Sequence, residues 1–109
     1  MIVIPFQDFA FFTEEVVIDG TPYVLEFKWN GRHEYWSMSF LDIDGNEILM
    51  GKKLVMGAEL ISQYPDRGLP TGEMYVATES GELIRPDRNS FVNGDCLLVY
   101  IGEEELATI

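Results

Sequence analysis

Residues 23–47, YVLEFKWNGRHEYWSMSFLDIDGNE, constrain the fold more than any other stretch. Tyr23, Leu25, Phe27 and Trp29 fall on one parity, and Glu26, Lys28 and Asn30 on the other. After a polar turn the pattern repeats, with Trp36, Met38 and Phe40 set against Ser37 and Ser39. Successive side chains of a strand point to opposite faces, so a period of two puts the aromatics on a dry face and the polar groups on a wet one. Asn30-Gly31 is a hairpin signal, and Asp44-Gly45-Asn46 is a second turn. Residues 23–29, 35–43 and 47–55 therefore read as consecutive strands joined by short turns, an antiparallel meander.

The rest of the chain extends this pattern. Ile2–Ile4 is a short apolar strand closed by Pro5. Residues 9–19 form the next strand. Thr13-Glu14-Glu15 interrupts its alternation, and a bulge there restores parity for Val16 and Ile18. Asp19-Gly20 with Thr21-Pro22 makes a turn. Residues 58–64 read as the only helix, with Leu60, Ile61 and Tyr64 on one face, Glu59 in its first turn and Pro65 as its stop. Residues 65–72 are a loop, 73–78 a strand, and 83–84 the start of a short return. Residues 96–101 are apolar on both parities, as expected for a strand buried on both faces or meeting another subunit on one. The fold class expected is all-β, a small antiparallel barrel or sandwich built around the three-strand meander, with one short helix near residues 58–64. Residues 1–102 make a single domain, and 103–109 a flexible acidic tail.

Charge narrows the partners. Nineteen acidic against seven basic residues give a net charge of −12. Such a surface disfavours phosphate backbones and anionic membranes. Basic residues are scattered, with Lys52-Lys53 the only adjacent pair, so no nucleic-acid patch is present. The single cysteine, Cys96, has no internal disulfide partner and sits in an apolar run, where it serves as a small hydrophobe. The N-terminal MIVIPFQDFAFF lacks the basic region of a signal peptide, and no stretch approaches the roughly 20 apolar residues that span a bilayer. A mature product made in the cytoplasm is the expectation.

No catalytic constellation emerges. His33 is the only histidine. Glu34 or Asp42 would have to orient it, Ser37 and Ser39 are the nearby hydroxyls, and no nucleophile elbow is present. An exposed turn histidine is the plainer reading. Asp42-Ile43-Asp44-Gly45-Asn46-Glu47 opens like a calcium loop. Yet position twelve counted from Asp42 is Lys53, where an EF-hand needs a bidentate glutamate, so a hairpin turn is expected. Gly68 to Gly72 lacks the Lys-Ser/Thr ending of a phosphate-binding loop. No catalytic residue, cofactor or metal is expected. Trp29, Trp36 and Tyr35 would suit sugar stacking only on an open sheet face.

A resemblance supplies the function. Ile4-Pro5 is followed by Asp19-Gly20, then Tyr23-x-Leu-x-Phe-x-Trp-Asn30, Trp36 and Asp44-Gly45. After these come Gly57-x-x-Leu60-Ile61-x-x-Tyr64, Leu69-Pro70-x-Gly72 and an apolar strand ending in Tyr100. This order and spacing, over about residues 2–101, resembles a family of tailed-phage and prophage baseplate plug proteins associated with the hub. The resemblance implies a non-enzymatic virion component of a contractile tail that closes the central channel near the spike. It implies hub, spike and tail tube as partners, a homo-oligomer with a trimer preferred, assembly in the host cytoplasm, and no specific nucleic-acid or membrane binding. Tyr23, Leu25, Phe27, Trp29, Trp36, Met38, Phe40, Leu98 and Tyr100 are then candidate core or interface residues. Asn30, Gly31, Arg32, His33 and Glu34 form a candidate partner-contact loop. The competing readings are a β-sandwich module binding carbohydrate or protein, a small enzyme built on His33, and a tail-assembly chaperone.

Overall fold

The computed structural model describes residues 1–64 and 67–107. The stop expected at Pro65 and the end of the acidic tail lie outside the described residues. The strands are β1 (Ile2–Ile4), β2 (Phe11–Ile18), β3 (Thr21–Asn30), β4 (Tyr35–Leu41), β5 (Glu47–Lys53), β6 (Glu73–Ala77) and β7 (Leu97–Ile101). Two short helices, α1 (Ser90–Asn93) and α2 (Glu103–Ala107), flank β7. One sheet has the order β2-β3-β4-β5 and the other β1-β7-β6, with every pairing antiparallel. The architecture is a sandwich, and the described residues form no closed barrel.

The meander is longer than the alternation of residues 23–47 implies, because β2 joins it through a two-residue hairpin. Ile18 pairs with Thr21 across Asp19 and Gly20, whose φ values are 52° and 80°. Both are left-handed, which matches the twist of the flanking strands. Register follows the aromatic parity: Leu25 opposes Phe40, Phe27 opposes Met38 and Trp29 opposes Trp36. Tyr23, Leu25, Phe27, Trp36, Met38 and Phe40 are all 6 % exposed or less. Leu98 and Tyr100 of β7 are likewise buried, and Trp29 is half-buried.

Three local expectations are corrected. β2 carries no bulge: its register with β3 runs unbroken from Phe11–Lys28 to Ile18–Thr21. Phe12, Glu14, Val16 and Ile18 share the inward parity, and Glu14 simply occupies an inward position. The bulges fall in β5, where the register with β4 shifts between Met38 and Phe40 and again between Phe40 and Leu41.

Residues 58–64 are bends and turns rather than a helix. The Glu59 carboxylate accepts from the N–H groups of Ile61 and Ser62, and also from Met74 N–H in β6. Leu60 N–H donates to the Met74 carbonyl at 3.0 Å. These bonds offer the backbone partners that a helix would otherwise supply, and both Leu60 and Ile61 become buried. Residues 83–84 form no strand, and the helical turn α1 lies in a segment without helical periodicity.

The chain between β1 and β2 runs over the surface and turns only the Phe6 side chain inward. Phe6 stacks on Phe91 at 4.2 Å, lies 4.5 Å from Phe27 and meets Trp36 edge-on at 5.3 Å. One phenyl ring thus links β3, β4 and α1. β7, central in its sheet, sends Leu98 and Tyr100 inward. Val99 points the other way, between Val3 and Tyr75, and is still only 7 % exposed. The acidic segment beginning at Glu103 is α2, and Glu105 pairs with the N-terminal amino group of Met1.

Candidate functional site

Two corners concentrate the polar structure. At the first, the loop 31–34 joins β3 to β4. Asn30 Oδ1 accepts from the N–H groups of Arg32 and His33 at 3.0 Å each. Glu34 adopts a left-handed φ of 56°. Arg85 Nη2 donates to the His33 carbonyl at 2.9 Å, tying the loop to the irregular segment before α1. That segment also holds Trp36, whose indole N–H donates to the Asp87 carbonyl at 3.2 Å. Arg88 lies over the Trp36 ring and pairs with Asp8 at 3.4 Å. A shallow cavity of about 350 Å³ opens here, bounded by Trp29, Glu34, Arg85, Arg88 and Asn93. All five residues of the candidate contact loop thus meet at one end of the sandwich. Gly31, Arg32, His33 and Glu34 are exposed, while Asn30 is spent on holding the turn.

The second corner joins the two sheets. Tyr100 Oη donates to Asp19 Oδ2 at 2.6 Å and accepts from Gly72 N–H at 2.8 Å. Tyr23 Oη donates to the Gly68 carbonyl at 3.0 Å. Gly72 has no room for a side chain, since a Cβ there would sit 2.1 Å from the Ile101 carbonyl oxygen and 2.6 Å from Tyr100 Oη. Burial, then the bond to Asp19, pushes the Tyr100 phenol well above its ordinary pKa.

The remaining chemistry-bearing side chains lie apart from one another. His33 is exposed and shares the loop with Glu34, while Asp42 lies at the far end of β4. The Asp42 carboxylate accepts from Asn46 Nδ2 and from the N–H groups of Asp44 and Asn46, each at 2.9 Å. Those bonds, the Asn46 side chain first, hold its pKa below the usual carboxylate range. Asp42 therefore closes a turn. Among the described residues no group of three or more His, Cys, Asp or Glu is placed to hold a metal ion. Burial, followed by Asp95 and Asp87, pushes the Cys96 thiol up to about 12, which removes its thiolate at neutral pH. The sugar-platform reading fails at Trp36, which is fully buried and cannot stack a ligand. No helix of the described residues is long and apolar enough to cross a membrane.

Residues 1–104 match the family model described as Cyanophage baseplate Pam3 plug gp18. The chain belongs to this baseplate plug family. No curated protein matches it. The motifs that carry the plug resemblance are far apart in sequence and meet in space. Asp19, Gly72 and Tyr100 share the second corner, and Tyr23 bonds to the Gly68 carbonyl. Trp29, Asn30 and Trp36 build the first. Sequence reasoning missed the roles of Arg85, Glu59 and Glu14. Arg85 and Glu59 act through backbone groups, which carry no residue-type signal. Glu14 was legible as an acid on the inward parity of a strand.

Proposed function

We propose that the chain is a structural plug subunit of a phage baseplate, working by packing and carrying out no catalysis. The family match over residues 1–104 carries this reading. Within it, the subunit sits on the tail axis and closes the central channel near the spike, against hub, spike and tail-tube proteins. On the outer face of the β1-β7-β6 sheet, Val3 is 48 % exposed and shares its parity with Leu97, Ala77, Tyr75 and Glu73; this mixed face supports association between copies, for which three-fold symmetry is the preferred arrangement. The loop 31–34 with Arg85 supports a second, polar contact to a neighbour. A net charge of −12 keeps any channel-facing surface from holding the genome.

The test is a phage carrying an epitope-tagged copy of this gene. Purified particles are expected to contain the protein at the tail axis in a cryo-electron map, and particles lacking it to release DNA prematurely. Presence in infected-cell lysate with absence from purified particles would assign it instead to tail assembly as a chaperone. Charge reversal of acids found facing the lumen is expected to slow DNA ejection, and unchanged kinetics would remove the charge argument.

A further inference from the structure

A sandwich of two open sheets has four edge strands, and three of them here are blunted. β1 is only three residues long. The free side of β6 is occupied by the 59–61 segment, through Glu59 and Leu60 to Met74. β5 is bulged twice, carries Lys52 and Lys53, and turns Gly51 N–H onto Ser39 Oγ at 2.9 Å. Shortness, cover, bulges and lysines are the devices that keep edges from pairing.

β2 has none of these; its one guard is charge, the inward Glu14 beside the exposed Glu15. It runs eight residues without a bulge or proline. Trp29 N–H donates to the Ala10 carbonyl, so even-numbered β2 residues face β3. By the antiparallel alternation, the N–H and C=O groups of Phe11, Thr13, Glu15 and Val17 face outward. Among the described residues none of those backbone groups has a partner outside the sheet. On the same parity, Phe11 is 55 % and Val17 60 % exposed. On the opposite parity Glu14 Oε2 is enclosed without a hydrogen-bond partner, an arrangement that a cation alongside would relieve.

We propose that the free edge of β2 docks an extended strand of a different protein, with two adjacent basic residues flanked by apolar ones. The register defines the pattern. On an antiparallel added strand, apolar residues oppose Val17 and Phe11, and the basic pair opposes Glu15 and Glu14. The pattern reads apolar-x-basic-basic-x-x-apolar. Charge disfavours a second copy of β2, because self-pairing centred on residue 14 or 15 sets glutamate against glutamate, and each copy carries a net charge of −12. The proposal stands on the edge itself and holds whether or not the chain closes a channel.

The probe is a fluorescein-labelled peptide, acetyl-Ser-Val-Thr-Lys-Lys-Thr-Thr-Val-Ser-amide, titrated with the full chain by anisotropy. Saturable binding is expected, weakened roughly tenfold when both lysines are replaced by glutamates, as two cross-strand charge pairs imply. Thr13→Pro removes an outward N–H without touching the ladder to β3, and is expected to abolish binding. Should that variant fail to fold, the same peptide N-methylated at alternate residues blocks the bonds from the other side and is expected not to bind. Failure of the lysine peptide to bind, equal affinity for both peptides, or binding by the N-methylated peptide would overturn the proposal. Self-association of the chain alone that Thr13→Pro abolishes would overturn it too, by assigning the edge to a second copy.

Discussion

Replacing Tyr100 with phenylalanine isolates the polar tie between the sheets. The hydroxyl lies 2.6 Å from Asp19 Oδ2 and 2.8 Å from Gly72 N–H, on a side chain only 2 % exposed. Phenylalanine fills the same ring space, so no cavity term enters. Asp19 is exposed and water can replace the lost donor, which limits that part to about 1 kcal/mol. The Gly72 N–H is enclosed, and leaving it without an acceptor costs about 1–3 kcal/mol. The expected loss is about 2–4 kcal/mol, which lowers Tm by roughly 8–16 °C in a domain of this size. The assay is urea unfolding followed by tryptophan fluorescence at neutral pH, run as a cycle with Asp19→Gly. Glycine accepts the φ of 52° at that turn, so the second mutation removes the acceptor without straining the backbone. A coupling of about 1 kcal/mol is expected between the two sites. The alkaline limb gives an independent check. The folded state raises the Tyr100 pKa, through burial first and then Asp19. Its contribution is therefore fully present below the unfolded value of about 10 and is lost as pH rises through the folded value. Tyr100→Phe should reduce this loss, with Tyr75, pushed up to about 12 by its bond to Glu73, retaining part of it. A destabilisation below about 0.5 kcal/mol, or strict additivity with Asp19→Gly, would refute the reasoning.

Other perturbations follow from the same geometry. Gly72→Ala drives a methyl into the Ile101 carbonyl and should cost about 3 kcal/mol by urea unfolding. Gly31→Ala, where a Cβ meets the Trp29 ring at 3.7 Å, should stay within about 0.5 kcal/mol. Burial pushes the Glu59 pKa up, but bonds from Ser62, Met74 and Ile61 outweigh it and hold the net value low. The stability Glu59 supplies is thus present above the unfolded pKa near 4.5 and is lost as pH falls through the folded value, and Glu59→Gln should flatten that acid limb in thermal scans. Burial raises the Glu14 pKa against an opposing bond from Gln7. Glu14→Gln should therefore stabilise the chain at pH 7, by an amount on the order of 1 kcal/mol or less given its partial exposure, with the gain gone below the unfolded pKa.

Much of the first corner was legible because it is local. The two-residue alternation from Tyr23 to Phe40 names the inward face directly, and Asn30-Gly31 marks where the chain reverses. Strand pairing across a short turn needs no information from elsewhere. The second corner was legible only as scattered motifs. Asp19, Gly72 and Tyr100 act together, but their spacing spans most of the chain, and only the packing of one sheet on the other brings them within hydrogen-bond distance.

The segment 58–64 shows how local preference loses. Its apolar spacing and early glutamate suit a helix, yet so short a helix is marginal alone. Met74 supplies both a donor and an acceptor from a strand ten residues beyond Tyr64, and the irregular path that uses them also buries Leu60 and Ile61. β2 shows the reverse. Its broken parity suggested a bulge, while β3 alongside imposes an unbroken ladder and leaves Glu14 facing inward. By itself, the sequence determined the β class, the meander and the inward aromatics, all set by period-two patterning and short turns. Tertiary structure alone decided the pairing of β1 with β7, the corner built by Asp19, Gly72 and Tyr100, and which edge remains open. Those depend on contacts between residues distant in sequence, whose bonds run through backbone groups common to every residue type.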